Sequence, residues 1–345
     1  MCAAYFCVLV VEFLLMDHSE RIANKLNEPR YEKIVAVQPA PEDPRKYSVV
    51  LWKPNGVADL YDDLMLLDRM SSLLVSEEAE MDWTRFRGVC ERVPLEELHL
   101  SLSVPEDGLK AIACCRHLKS LEINKWIDGR HVRHLSAMQS LESICIDVEH
   151  PQAAVEAIAT CGNVSWVSID SRGSERCDLS PLSNLKNLTT LNFSVDLARD
   201  LTPFANTPIT RMIIKSQRLD TRQLESLRQI RTLRTIEFGD LSGNPGCILD
   251  VVCGHPSITS VSAHGDLKLT EEQTAKLINS QANRISLPNT KLTSKHFENV
   301  RPAKAAESLR FDGSNLSVDE ENVLNLKFPS IQFSIYRPRK SQLGD

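Results

Sequence analysis

Positive charge is not in excess in this chain: 40 Lys plus Arg face 46 Asp plus Glu, a formal net charge of −6. That balance lacks the basic footprint with which proteins hold phosphate backbones, so no nucleic-acid partner is expected. Cysteine is sparse, at ten in 345 residues. A disulfide-built scaffold carries roughly eight to ten per cent, so reduced thiols are expected. No apolar run reaches the roughly 18 residues of a membrane-spanning helix. The longest, residues 1–16, is broken by Glu12 and has no Lys or Arg before Arg21. Aromatic residues make up only 6% of the chain.

Catalytic and metal-binding patterns are missing as well. Neither G-x-G-x-x-G nor G-x-x-x-x-G-K-[ST] occurs, so no backbone cradle for phosphate is encoded. The loop 239–246 lacks the lysine such a cradle needs, and Gly239-Asp240-Leu241-Ser242-Gly243 misses G-x-S-x-G by one position. Without C-x-x-C or H-E-x-x-H, the His131/His134 pair and the Cys114, Cys115, His117 cluster fall to packing and surface roles. The adjacent carboxylates Asp62-Asp63 and Glu77-Glu78 diverge on a helix and do not form an acid/base pair. The expectation is therefore a non-enzyme with no catalytic residues, no metal and no cofactor.

What is present is an ordinary globular composition, 42% hydrophobic and 25% charged, in a chain long enough for about two domains. Charge is uneven along it. Residues 1–91 hold 10 basic and 16 acidic side chains, whereas 92–345 hold 30 of each. Residues 32–37 and 47–52 read as strands around a proline-rich turn, and 57–74 as an amphipathic helix with Val57, Leu60, Tyr61, Leu64, Leu67 and Leu74 on one face. The expected organisation is an apolar N-terminal segment (1–16), a small α+β cap or domain (17–91), a repeat array (92–335) and a tail (336–345).

The array is defined by self-similarity. The pattern apolar-x-x-apolar-x-apolar occurs at Leu95, Leu98, Leu100; Leu118, Leu121, Ile123; Leu141, Ile144, Ile146; and Val164, Val167, Ile169. It continues at Leu188, Leu191, Phe193; Ile209, Met212, Ile214; Leu233, Ile236, Phe238; and Ile258, Val261, Ala263. Three weaker copies follow at Ala282, Ile285, Leu287; Ala306, Leu309, Phe311; and Phe328, Ile331, Phe333. Successive starts lie 21 to 25 residues apart. Allowing five start positions, ten consecutive recurrences arise by chance about once in ten million trials. Apolar residues two apart share one face of an extended segment, so each copy predicts a short strand. The residues between copies carry helical spacings, as in Leu109, Ile112, Ala113 and Leu224, Leu227, Ile230. A unit of about 23 residues cannot bury its own apolar face, and neighbours must stack.

These triplets resemble the L-x-x-L-x-L motif of the leucine-rich repeat family over residues 92–335. The stretch 179–193 (LSPLSNLKNLTTLNF) is similar to the short bacterial, internalin-like variant, and Cys115 and Cys161, each three residues before the next triplet, to the cysteine-containing one. The family's asparagine, eight residues after the first leucine, is replaced throughout, for example by Ser103, Trp126, Glu149 and Thr290. The resemblance implies an α/β solenoid of about eleven strand-plus-helix repeats with a parallel sheet on its concave side.

With the triplets inward, the intervening residues face outward. Those columns are mostly Ser, Thr and Asn, with Glu97, His99, Glu122, Asp147 and Asp170 in the first half and Arg211, Lys215, Arg284 and Arg310 in the second. The candidate partner-binding residues are Asp147, Trp166, Asp170, Asn192, Arg211 and Lys215, one aromatic anchor among charges of both signs. The expected function is a non-enzymatic scaffold for a protein partner, in the cytoplasm. The alternative is an envelope-anchored or exported repeat protein held by residues 1–16.

Overall fold

The computed structural model describes residues 18–336 except 29–34, 44, 53–59, 172–175, 195–197, 199, 216–218, 240–245, 265–266, 289, 291, 299, 301–307, 313–315 and 330–331. The apolar segment 1–16 and all of the tail but Tyr336 therefore lie outside the described residues. The chain divides into two compact units, Met1–Gly173 and Ser174–Asp345.

The first unit runs α1 (His18–Leu26), β1 (Val35–Pro39), β2 (Tyr47–Leu51), α2 (Leu60–Met65), β3 (Met70–Val75), α3 (Trp83–Arg92), β4 (Glu97–Leu100) and α4 (Glu106–Ile112). It continues with β5 (Ser120–Ile127), a 3-10 helix (Gly129–Ala137), β6 (Ser143–Val148), α5 (Pro151–Ile158) and β7 (Trp166–Ser171). Strand β1 pairs antiparallel with β2. From β2 to β7 every neighbour is parallel. Leu98 and Leu121 lie opposite each other on adjacent parallel strands, as the triplets require.

The second unit holds β8 (Thr190–Ser194), β9 (Arg211–Lys215), α6 (Thr221–Leu227), β10 (Thr235–Phe238), α7 (Gly246–Cys253), β11 (Ser260–Ala263), α8 (Glu271–Ile278), β12 (Arg284–Pro288), β13 (Ser308–Asp312), α9 (Val318–Lys327) and β14 (Gln332–Tyr336). Its 3-10 helices are Ser180–Asn184, Thr202–Asn206 and Ser294–Phe297. Strands β8 to β14 form an unbroken parallel series. A parallel strand joined to the next by a helical crossover, repeated every two dozen residues, is the leucine-rich-repeat architecture, and the fold is an α/β solenoid of that kind.

The core is the triplets. In the first nine copies, from Leu95 to Leu287, no triplet side chain is more than 3% exposed. Each fully buried Leu, Ile or Phe contributes about 1.5–3 kcal/mol of transfer free energy, so this inward column is the main source of stability. The crossovers are fixed at their starts by caps. Asp220, Thr270 and Ser317 each form a capping box with the Gln or Glu three residues on. Asp82 and Asp128 accept the backbone N–H of Arg85 and Arg130 at 3.0 and 2.9 Å. Such caps satisfy orphan helix donors, typically for about 1 kcal/mol each.

Two expectations are corrected. Of the helix expected over 57–74, the described residues form a helix at Leu60–Met65 only, and 70–75 is strand β3. Met70-Ser71-Ser72-Leu73-Leu74-Val75 is itself an apolar-x-x-apolar-x-apolar copy, with Leu73 opposite Leu98 and all three triplet residues fully buried. Leu74, assigned to the helix's apolar face, is 40% exposed because it occupies an outward position. The last copy is also displaced: Leu309 pairs with Phe333 and Phe311 with Ile335, so that strand's inward register lies two residues later than Ile331 and Phe333.

Candidate functional site

In the first unit the outward residues of β4 to β7 are held in register by the buried column beneath them. Glu97 is exposed, and His99 meets Glu122 across the strand pair at 2.9 Å. On β6 and β7, Ser143 lies opposite Trp166, Cys145 opposite Ser168, and Asp147 opposite Asp170. Val167 and Ile169 are buried at 0% and 1%, which turns Trp166 to the open side, where it is half-buried. Asp147 and Asp170 are half-buried beside it, and Asp170 also accepts the Ser171 N–H at 2.8 Å. Like charges directly opposite on neighbouring strands disfavour the sheet. This pair places two carboxylates in register beside the face's aromatic side chain.

Ser168, an outward residue by alternation, is only 2% exposed. It is a short side chain in the trough between Trp166 and Asp170, two residues away on either side of the same face. Trp126 is half-buried on the longer strand β5, whose register shifts between Ile123 and Ile127. The irregularity falls where a regular repeat would carry its asparagine.

In the second unit Arg211 and Lys215 stand exposed at the two ends of β9. Arg211 reaches Glu237 of the neighbouring strand at 2.5 Å. Lys215 lies beside Gly239, where an added Cβ would stand 3.3 Å from the lysine Cα. Asn192 on β8 is 8% exposed, sunk between its neighbours as Ser168 is. Arg284 is exposed on β12, and the side chain of Arg310 lies outside the described residues. The six candidate residues therefore fall into two groups, Asp147, Trp166 and Asp170 in one unit and Asn192, Arg211 and Lys215 in the other.

On the helical side, the His131/His134 pair faces Glu106. His134 Nε2 lies 2.9 Å and His131 Nε2 3.7 Å from its carboxylate. The His134 hydrogen bond, with Lys110 beside it, holds Glu106 at about 2. Among the described residues no group of three or more His, Cys, Asp or Glu side chains is arranged to hold a metal ion. Cys115 and Cys161 are free thiols, each 1% exposed, and burial pushes the Cys161 thiol up. No helix among the described residues is long and apolar enough to cross a membrane.

One feature of the open face has no motif in the sequence. A cavity of about 360 Å³ lies between the β1–β2 turn and the starts of β2, β3 and β4, lined by Glu42, Asp43, Lys46, Ser71, Ser72 and Glu97 among others. The Met70–Val75 triplet would have disclosed its floor. The turn over it has no sequence signature beyond its prolines.

No family model and no curated protein matches the chain. Among solved structures it is similar to internalin C2 of Listeria monocytogenes, at 17% identity over 59% of this chain and 74% of that one, TM-score 0.33. It is also similar to a leucine-rich repeat protein of Leptospira interrogans, at 12% identity over 83% of this chain and 88% of that one, TM-score 0.37. The fold assignment rests on the strand pairings and buried triplets, and these likenesses assign no residue a role.

Proposed function

We propose that the protein is a non-enzymatic interaction scaffold that binds a protein partner on the open face of its parallel sheet. A leucine-rich-repeat solenoid is in general a protein-interaction scaffold, and the outward columns supply the particulars. The observation that carries the reading is the juxtaposition on β6 and β7: Asp147 directly opposite Asp170, with Trp166 on the same face. A half-exposed tryptophan flanked by carboxylates is the composition of a small hot spot, and the charge selects a basic partner surface. In the second unit the exposed Lys215 and Arg211, the latter shared with Glu237, offer a cationic contact, and Asn192 lies sunk beside them. The buried free thiols Cys115 and Cys161 support a reducing compartment and hence the cytoplasm.

The test is a native pull-down with mass spectrometry, followed by affinity measurement on the best partner. Trp166→Ala is expected to weaken that partner by about 2 kcal/mol while leaving the melting temperature nearly unchanged. Unaltered binding together with a clear drop in melting temperature would make Trp166 a packing residue and overturn the placement.

A further inference from the structure

The cavity at the starts of β2, β3 and β4 has a floor made by an irregularity. Tyr47 pairs with Met70 and Ser48 with Ser72, so Ser71 is an extra residue in β3 with nothing opposite it in β2. A bulge of this kind re-aims a side chain. Ser71 lines the cavity and is 9% exposed. Its carbonyl takes the Glu96 N–H at 2.8 Å, but its hydroxyl has no hydrogen-bond partner among the described residues. The hydroxyl faces the cavity, where water or a ligand group can reach it, and a ligand donor there would take the place of water.

The charges around it are unequally matched. Glu96 is neutralised by Lys46 at 2.6 Å and Lys119 at 3.1 Å, and Asp43 by Arg45 at 3.0 Å. Glu42 and Glu97 line the same cavity, are exposed and have no ion-pair partner among the described residues. The Ser48 and Ser72 hydroxyls are likewise uncommitted. The site thus offers two free carboxylates and three hydroxyl oxygens converging on one space. A planar guanidinium with five N–H donors satisfies such a set better than an ammonium with three.

We propose that this cavity is the seat of an arginine side chain supplied by the protein partner, with Glu42 and Glu97 as its counter-charges and Ser71 as the buried acceptor. A protein, and not a free small cation, is the source because apolar surface follows the cavity-lining serines along the same strands. Two residues beyond Ser48 and Ser72 on the same face are the half-buried Val50 and the exposed Leu74, and Trp52 follows, 39% exposed. A partner segment that places arginine in the cavity lays its neighbouring apolar side chain there. The proposal deepens the scaffold reading and rests on it for the origin of the arginine.

The test uses the full chain and a defined probe. Nα-acetyl-arginine amide is titrated into the isotope-labelled protein and followed by NMR, with the neutral isostere Nα-acetyl-citrulline amide and Nα-acetyl-lysine amide as controls. Saturable shifts at Ser71, Ser72 and Glu97 are expected with arginine, with about tenfold weaker binding for citrulline and a smaller loss for lysine. Glu42→Gln combined with Glu97→Gln should weaken the arginine probe by about tenfold, and Lys46→Gln should tighten it a few-fold by removing the competing cation. Unchanged spectra away from the cavity certify folding. Absence of saturable shifts, equal binding of citrulline or lysine, or indifference to the glutamate substitutions overturns the proposal. Trp166 lies three strands beyond β4, so a failed titration leaves the scaffold reading standing, and loss of the Trp166 result leaves the cavity standing.

Discussion

The two units bury the same kind of inward column but present opposite charge on the other side of their strands. In the first, the outward positions carry Glu97, Glu122, Asp147 and Asp170; in the second, Arg211, Lys215 and Arg284, with Glu237 paired to Arg211. Inward positions are over-determined: a polar residue there loses burial and its hydrogen bonds at once, so Leu, Ile, Val and Phe recur in both units. Outward positions answer to solvent or to a partner, and there the units diverge. The difference locates specificity on the open faces and stability beneath them.

The strongest way to break this comparison is to damage the two inward columns and ask whether they respond alike. Phe193→Ala in the second unit should cost about 3–5 kcal/mol and Ile146→Ala in the first about 2–5 kcal/mol, since both side chains are 0% exposed. Urea unfolding measures the totals. Because each repeat touches mainly its neighbours, hydrogen exchange should show the loss concentrated in the adjoining repeats of the same unit. Uniform loss of protection through both units would contradict a repeat-by-repeat core.

A backbone contact distinguishes the first unit. An added Cβ at Gly129 would stand 2.2 Å from the carbonyl oxygen of His150, which is itself left-handed at φ 54. Gly129→Ala should therefore destabilise by about 1–3 kcal/mol, as overpacking against an immovable group does. Melting of the Gly162→Ala variant, where nothing lies within 4 Å, is the control. Equal melting temperatures for the two variants would show that the segment yields freely.

The inward columns were legible in the sequence and much of the open face was not, for a physical reason. Burial fixes residue type, so nine consecutive triplets could be placed to the residue. Met70-Ser71-Ser72-Leu73-Leu74-Val75 was missed because Leu60, Tyr61, Leu64 and Leu67 set a helical period that Leu74 happens to extend. The last register slipped because Phe328, Ile331 and Phe333 satisfy the pattern better than the true positions, whose first is Ser330. Outward alternation correctly turned Trp166 to the open side, but whether a short side chain sinks, as Ser168 and Asn192 do, depends on the size of its neighbours. The Ser71 cavity needs a bulge and an overlying turn, neither of which has a periodic signature.

The charge difference itself can be sharpened by substitutions of opposite expected sign. Asp170→Asn removes one of two carboxylates in register across β6 and β7, and should stabilise the protein by about 0.2–1 kcal/mol. Arg211→Gln breaks the ion pair with Glu237 and should destabilise by about 0.2–1 kcal/mol. Both effects should shrink as salt rises from low to about 1 M, where the Debye length falls to about 3 Å. Two shifts of the same sign would mean that these outward charges are set by something other than their cross-strand neighbours.

The smallest effect concerns a feature the units share, the aspartate before a 3-10 helix. In the first unit Asp128 accepts the Arg130 N–H at 2.9 Å and its guanidinium, which holds the carboxyl at about 2. In the second, Asp200 accepts the Thr202 N–H at 2.9 Å and hydroxyl at 2.7 Å, then Ser226 and Arg222, and is held well below the usual carboxylate range. A carboxyl with a folded pKa below its unfolded one stabilises fully above the unfolded value near ~3.9 and loses that contribution as pH falls through the folded value. Each wild-type aspartate should therefore add a few tenths of a kcal/mol of acid sensitivity below about pH 4, solvent screening keeping the effect small. Asp200→Asn retains an acceptor for the Thr202 N–H but does not titrate. Its stability should fall less steeply than wild type between about pH 5 and 3 in urea titrations, and Asp128→Asn should behave the same way. Parallel slopes for the variant and wild type would show that the charge on the cap, as distinct from its hydrogen bond, contributes nothing.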